Sequence, residues 1–336
     1  MKKILSMVFG LLLLVGLTGC NNANENREEF KVVTTFFPMY DFTRNIVGDL
    51  GSVSMVVPAG VDSHHFEPSA RDIANIEQAN AFVFSSEEME SWVHSTLESI
   101  NTESVKVIEA SAGIEMMAWD GEGSTDHSHD HDSEDHSHDD DHGHEDDHDH
   151  DHDSDGHDHD HSHDYDPHVW LSPVLAIRQV ENIRDGLIQA YPEHEEAFRN
   201  NAQAYIEKLE VLDREFHEAL DGASQRTIVT QHMAFAYLAR EYNLHAVSIA
   251  GISPDHEPSA ARLAELKHFV EDNDIRVIYF SETANDAVAA TLASETGVEL
   301  AVLNPLESLT QAQIDAGEDY LSIMRANLQA LLLSVR

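Results

Sequence analysis

Histidine and carboxylate side chains are the donors from which zinc-like divalent cations are most often bound. This 336-residue chain carries 24 histidines and 63 acidic residues. Many of them crowd into Asp126–Asp164, a tract with 14 histidines, 18 acidic residues and no lysine or arginine. The remaining candidates sit in quite different company. His64 and His65 lie in "PAGVDSHHFEPS", His168 in "DPHVWLSP" where the tract ends, His232 in "QHMAFAYLAREY" and Glu307 in "LNPLESLT". Neutral imidazole and carboxylate are ligands that zinc takes, usually four in a tetrahedral array at about 2.0–2.2 Å. One histidine at a strand end is ordinarily a surface or hydrogen-bonded residue. Several in corresponding places, beside a tract of metal-binding composition, point to a metal site.

The elements that must position these residues can be read from periodicity. Apolar runs at Lys31–Phe37, Val53–Val57, Ala81–Phe84 and Val105–Ile108 have strand length and composition. Thr227–Thr230, Ala246–Ile249, Val277–Phe280 and Glu299–Leu303 repeat the scheme in the second half. Between them helices are expected to open at Pro38, at Ser69, near Glu88 and at Ser259, the last running to Asp272. Strands alternating with helices imply parallel sheets with right-handed crossovers, and two such blocks imply two α/β lobes. In open α/β sheets ligands bind beyond the carboxyl ends of strands. His64, His232 and Glu307 all follow such ends.

Pro192–Leu220 spaces Phe198, Tyr205, Leu209, Leu212, Phe216 and Leu220 at helical intervals. A helix of that length, about 40 Å at ~1.5 Å per residue, is expected to act as a spine joining the lobes. The division of the chain is then residues 1–20 as a leader, 21–29 as a tether, and 30–191 as the first lobe, carrying a His/Asp-rich insertion over 123–165. Residues 192–222 form the linking helix and 223–336 the second lobe. The insertion has almost no apolar residue and is predicted not to fold. As a coil of about 39 residues it would span roughly 35 Å.

Charge excludes some functions. The formal net charge is -44, and removing the 18 acids of the tract still leaves -26. Such a field repels nucleic acid and anionic headgroups and concentrates cations. "MKKILSMVFGLLLLVGLTGC" reads as a secretion leader whose end resembles the lipobox of bacterial lipoproteins, with Cys20 the acylated residue and the only cysteine. His94, His194, His217 and His268 stand among charged residues on helices and read as solvated faces. His256, in "SPDHEPS", lies in a loop near the expected cleft. Trp92 and Trp119 read as packing residues, and Trp170 as a support for the loop of His168.

"TTFFPMYDFTRNIVGD", "VPAGVDSHHFEPSARDI", "DPHVWLSP", "QHMAFAYLAREYNL", "EPSAARLAEL" and "LNPLESLT" together resemble the zinc- and manganese-binding solute-binding proteins of bacterial ABC importers. The match covers both lobes in the family's order. The resemblance implies a metal held in the cleft between the lobes. It implies His64, His168 and His232 as ligands and Glu307 as the fourth. Ser63 stands where the family pattern has proline, and His65, directly after His64, is the alternative to it, with His64 preferred. Glu282 in "YFSETAND" and water are the alternatives to Glu307. Three imidazoles and one carboxylate suit Zn²⁺; manganese would favour more carboxylate.

The function expected is an extracytoplasmic, lipid-anchored, monomeric zinc receptor that delivers Zn²⁺ to a permease driven by a cytoplasmic ATPase, with no enzymatic activity of its own. The chain has no P-loop, so the energy must come from a partner. A manganese receptor of the same family is the runner-up. A zinc hydrolase and a surface metal buffer or adhesin rank below it.

Overall fold

The computed structural model describes residues 30–119, 165–254 and 258–335. The expectations for the leader, the tether and Cys20, for His256 and for all of the insertion but Tyr165 lie outside the described residues.

The first lobe runs β1 (Phe30–Thr34), α1 (Phe37–Val47), β2 (Gly51–Met55), α2 (Ala70–Glu77), β3 (Ala81–Phe84), α3 (Trp92–Ser99) and β4 (Lys106–Glu109). Its sheet has the order β2-β1-β3-β4, with β1/β3 and β3/β4 parallel; Val33 pairs with Phe82 and Phe82 with Val107. Every residue of β3 is buried, as a central parallel strand covered on both faces requires. The strand expected over Lys31–Phe37 stops at Thr34, because Pro38 in the first turn favours helix and α1 starts one residue before it. α2 starts with the Ser69/Asp72 capping box. The helix expected near Glu88 starts only at Trp92. The Glu90 carboxylate instead accepts from the Ser85 and Ser86 backbone N–H groups (2.9 and 3.0 Å) and from the Thr35 hydroxyl (2.5 Å), which ties Glu90 into the loop after β3.

A two-stranded antiparallel ribbon, β5 (Met117–Ala118) with β6 (Tyr165–Asp166), leads into α4 (Pro173–Ala190) and α5 (Glu195–Leu220). The second lobe runs β7 (Thr227–Thr230), α6 (Ala236–Glu241), β8 (His245–Ser248), α7 (Ala260–Asp272), β9 (Val277–Phe280), α8 (Ala287–Thr296), β10 (Glu299–Val302), α9 (Gln311–Ala316) and α10 (Tyr320–Leu331). Its strand order is β10-β9-β7-β8, and β7/β8, β7/β9 and β9/β10 are parallel.

The long helix α5 buries Phe198, Ala202, Tyr205, Leu209, Leu212, Phe216 and Leu220 along one face. Its first half is tied to α1: Asn201 Nδ2 donates to the Ile46 carbonyl (3.0 Å) and the Tyr205 hydroxyl to Asp41 Oδ2 (2.9 Å). Its second half is tied to α10, where Arg325 donates twice to Glu215 (2.7 and 3.2 Å). The spine is therefore clamped at both ends rather than standing free.

Sequence reading did not single out α4, whose buried Ala176, Val180, Ile183 and Leu187 alternate with polar residues. α4 lies between β4 and α5, and Gly186 makes that approach possible. A Cβ there would meet Cγ1, Cδ1 and Cγ2 of Ile108 at 2.7, 2.8 and 2.9 Å, so no single rotation of the branched side chain clears it. Gly186→Ala gains ~1 kcal/mol of helix propensity but incurs ~1–3 kcal/mol of overpacking. The expected outcome is a net loss of about 1 kcal/mol, measured by urea denaturation.

Candidate metal centre

His64 reaches the centre on the loop after β2. Val56 and Val57 N–H groups extend the sheet pattern to the Thr34 and Thr35 carbonyls (both 2.9 Å) before the chain turns out. The loop then leans on the second lobe: Gly60 N–H donates to the Leu309 carbonyl (3.0 Å) and Ser308 Oγ (2.8 Å), and Ser63 Oγ to the Glu307 carbonyl (2.8 Å). Asp62 Oδ1 accepts from His64 N–H (2.8 Å) and closes the turn that aims the ring inward.

His168 follows β6. Asp166 Oδ1 accepts from its backbone N–H (2.9 Å) and sits 2.8 Å from Nδ1, so the ring presents Nε2 to the centre. The Asp166 carbonyl accepts from the Tyr237 hydroxyl (2.7 Å), which itself accepts from Met117 N–H (2.8 Å). Trp170 packs 4.8 Å edge-on to Phe36, and its indole N–H donates to the Pro305 carbonyl (2.8 Å). Tyr320 OH donates to the Trp170 carbonyl (2.6 Å). Trp170 thus joins the loop of His168 to the loop of Glu307.

His232 follows β7, held where Gln231 N–H donates to the Tyr279 carbonyl (2.8 Å) and Thr230 Oγ1 to the His232 carbonyl (2.9 Å). Glu307 follows β10 after a backbone reversal at Leu306, a non-glycine residue in the left-handed region (φ 59°). That conformation costs roughly 1–2 kcal/mol. Asn304 offsets it by accepting from Leu306 N–H (2.7 Å), and Asn327 on α10 pins Asn304 through two hydrogen bonds (2.8 and 2.7 Å).

Four buried side chains meet there. Glu307 Oε1 lies 2.9 Å from His232 Nε2, 3.0 Å from His168 Nε2 and 3.5 Å from His64 Nε2, while the His64 and His168 Nε2 atoms are 3.2 Å apart. All four donor atoms fall within 4.8 Å of one another. A tetrahedron with bonds of about 2.0–2.1 Å has edges of about 3.3–3.4 Å, so the donor spacing fits one zinc-sized ion. Each histidine is under 5% exposed, and so is the carboxylate. The structure thus gathers His64, His168, His232 and Glu307. His65 instead points to solvent beside Asp62, at 3.5 Å, and Glu282 accepts from Gln313 (3.0 Å) on the exposed surface.

Proton equilibria reflect the same crowding. Burial pulls the His64 imidazole below its usual range. Burial pulls on His168 too, but the Asp166 and Glu307 carboxylates outweigh it and push the ring up to about 9. Burial would raise Glu307, yet the three imidazoles hold it well below the usual carboxylate range. Asp166, Tyr237, Asn304 and Asn327 are the supporting residues that sequence reading missed. Asp166 was in view, two residues before His168 in "DPHVW"; the others act from distant elements.

Two parallel α/β lobes that gather three imidazoles and a carboxylate in a buried tetrahedron define a cleft-type metal-binding protein. Residues 32–332 match the family described as zinc-uptake complex component A, periplasmic, and the chain belongs to that family. It is 45% identical over 331 residues to zinc-binding lipoprotein AdcA of Streptococcus pneumoniae, covering 98% of this chain and 60% of that one. It is 42% identical to the high-affinity zinc uptake system protein ZnuA of Bacillus subtilis, covering 97% and 95%. The crystal structure of the Zn(II)-bound ZnuA-like domain of S. pneumoniae AdcA superposes with a TM-score of 0.72 at 42% identity, over 91% of this chain and 98% of that one. The chain therefore spans only about three-fifths of the AdcA relative's length, but nearly all of ZnuA's.

The Asp166–His168 pair has a signed pH dependence. The ring's folded-state pKa of about 9 lies above its ordinary 6.5, so the stabilisation is complete below 6.5 and is lost as pH rises through about 9. Asp166→Asn in metal-free protein is expected to destabilise more near pH ~6 than near pH ~10, measured by denaturant unfolding at both pH values.

Proposed function

We propose that this protein is an extracytoplasmic receptor that captures Zn²⁺ and hands it to an ABC permease powered by a cytoplasmic ATPase. The observation that carries this reading is the buried tetrahedron of His64, His168, His232 and Glu307, built from loops of both lobes. Those four side chains are the ligands. A nitrogen-rich set with one carboxylate favours zinc over manganese. Selectivity against copper must come from geometry and availability, since the intrinsic order favours copper.

A receptor rather than a hydrolase is supported by the donor count. Catalytic zinc keeps a position open for water, whereas here the carboxylate takes the fourth corner and solvent has little access. The zinc-binding and zinc-uptake names of the relatives point the same way. Among the described residues no helix is long and apolar enough to cross a membrane. Attachment is assigned to a lipid on Cys20, and the receptor acts as a monomer. The Asp126–Asp164 tract serves as a weak, multivalent collector, and the centre is where the ion is held.

Calorimetry and metal analysis test this division. Deleting Asp126–Asp164 is expected to leave one tightly bound Zn²⁺ per molecule. His168→Ala is expected to weaken tight binding by at least about 100-fold, because a lost ligand costs more than the 10–100-fold of a lost supporting residue. Affinity should also fall as pH drops, since protons compete for the imidazoles. Tight binding that survives His168→Ala, or disappears with the tract, would overturn the assignment.

A further inference from the structure

Away from the centre, a second set of donors converges between the spine and the second lobe. Asp213 and His217 stand one turn apart on α5, and Glu241 ends α6; one donor atom from each lies within 4.8 Å of the others. His217 Nε2 is 3.6 Å from Asp213 Oδ1. An i, i+4 pair on a surface helix is ordinary by itself. The third donor, arriving from another element, is not.

Three further observations favour a cation here. No Lys or Arg among the described residues pairs with Asp213 or Glu241; the partners of Asp213 are Tyr242 and His217, and that of Glu241 is the Ser172 hydroxyl at 3.5 Å. Two carboxylates therefore face one imidazole with no fixed positive charge to balance them. Tyr242 also holds the donors in place: its hydroxyl donates to Asp213 Oδ1 (3.0 Å), and its ring packs edge-on against His217 at 5.0 Å and stacks on Phe216 at 4.9 Å. This is the outer-sphere support that orients metal ligands elsewhere. Finally, ligand atoms around a zinc-sized ion are separated by about 3–4.2 Å, within side-chain adjustment of what is seen.

We propose that Asp213, His217 and Glu241 form a second, labile site for a divalent transition-metal cation such as Zn²⁺, clipping α5 to the helix that follows His232. His217 is half exposed (side chain 47%) and Asp213 less so (23%), so water completes the coordination. Three donors, one of them an exposed imidazole, hold the ion more weakly than the closed centre and exchange it with solvent.

The test must resolve single histidines, because the tract binds zinc as well. Carbethoxylation of the full chain by diethyl pyrocarbonate, read by peptide mass spectrometry, does so. Zinc added beyond saturation of the centre is expected to protect His217 strongly. It should leave His268 nearly unprotected, since that ring is 78% exposed and the acid paired with it among the described residues, Glu271, stands 3.9 Å away. Asp213→Asn and Glu241→Gln, both at partly exposed positions, should each raise the zinc concentration for half-protection by about tenfold or more. The affinity of the centre should stay unchanged in both variants. Protection of His217 no greater than that of His268, or protection that survives both substitutions, overturns the proposal.

Discussion

The buried carboxylate of Glu307 is the point on which the structure turns. One of its oxygens stands 2.9–3.5 Å from three imidazole nitrogens in a region closed to water. A carboxylate buried this deeply needs donors or positive charge around it, and the imidazole Nε2 atoms supply them as N–H donors or as protonated rings. The Asp166 and Glu307 carboxylates together favour a proton on His168. A divalent ion would take the place of such protons. The centre therefore concentrates donors in a small volume, and much of the surrounding architecture keeps it from relaxing.

That resistance comes from hydrogen bonds between loops of different lobes. Ser63 and Gly60 tie the loop of His64 to the Glu307 segment, and Trp170 ties the loop of His168 to Pro305. Asn304 and Asn327 hold the left-handed turn at Leu306, and Tyr320 secures Trp170 from the same C-terminal helix as Asn327. α5 limits how far this assembly can open, because its two halves are anchored to α1 and to α10. The loop of His64 runs from Val56 to Ser69 without helix or strand, longer than the loops that carry His232 and Glu307. Ser63 adds a hydrogen bond to the Glu307 carbonyl that a proline at that position could not make.

Much of the frame was legible in the chain. Strands at Ala81–Phe84, Thr227–Thr230 and Val277–Phe280 run over the residues that periodicity marks, because a short apolar run between turn signals has few other options in a parallel sheet. Boundaries moved where a side chain competed with the backbone, as Glu90 did in delaying α3, and where proline favoured helix, as at α1. α4 escaped notice because it is covered by a sheet on one side and a helix on the other. Its buried face mixes alanine, glutamine and glycine with the aliphatics, which weakens the apolar stripe.

For the centre, residue type and local motif determined which histidines and which acid were candidates, since ligand chemistry belongs to the side chain itself. They left His64 and His65, and Glu307 and Glu282, side by side as choices. Tertiary structure decided between them. A one-residue step along the loop carries a side chain from the cleft to solvent, and the Ser63 and Gly60 contacts with a segment some 240 residues away, with the local turn closed by Asp62, determine which ring faces inward. Likewise Asp213, His217 and Glu241 look like ordinary surface charges in the sequence. Their convergence exists only once α6 folds back against α5, because the distance between them is set by packing and not by spacing along the chain.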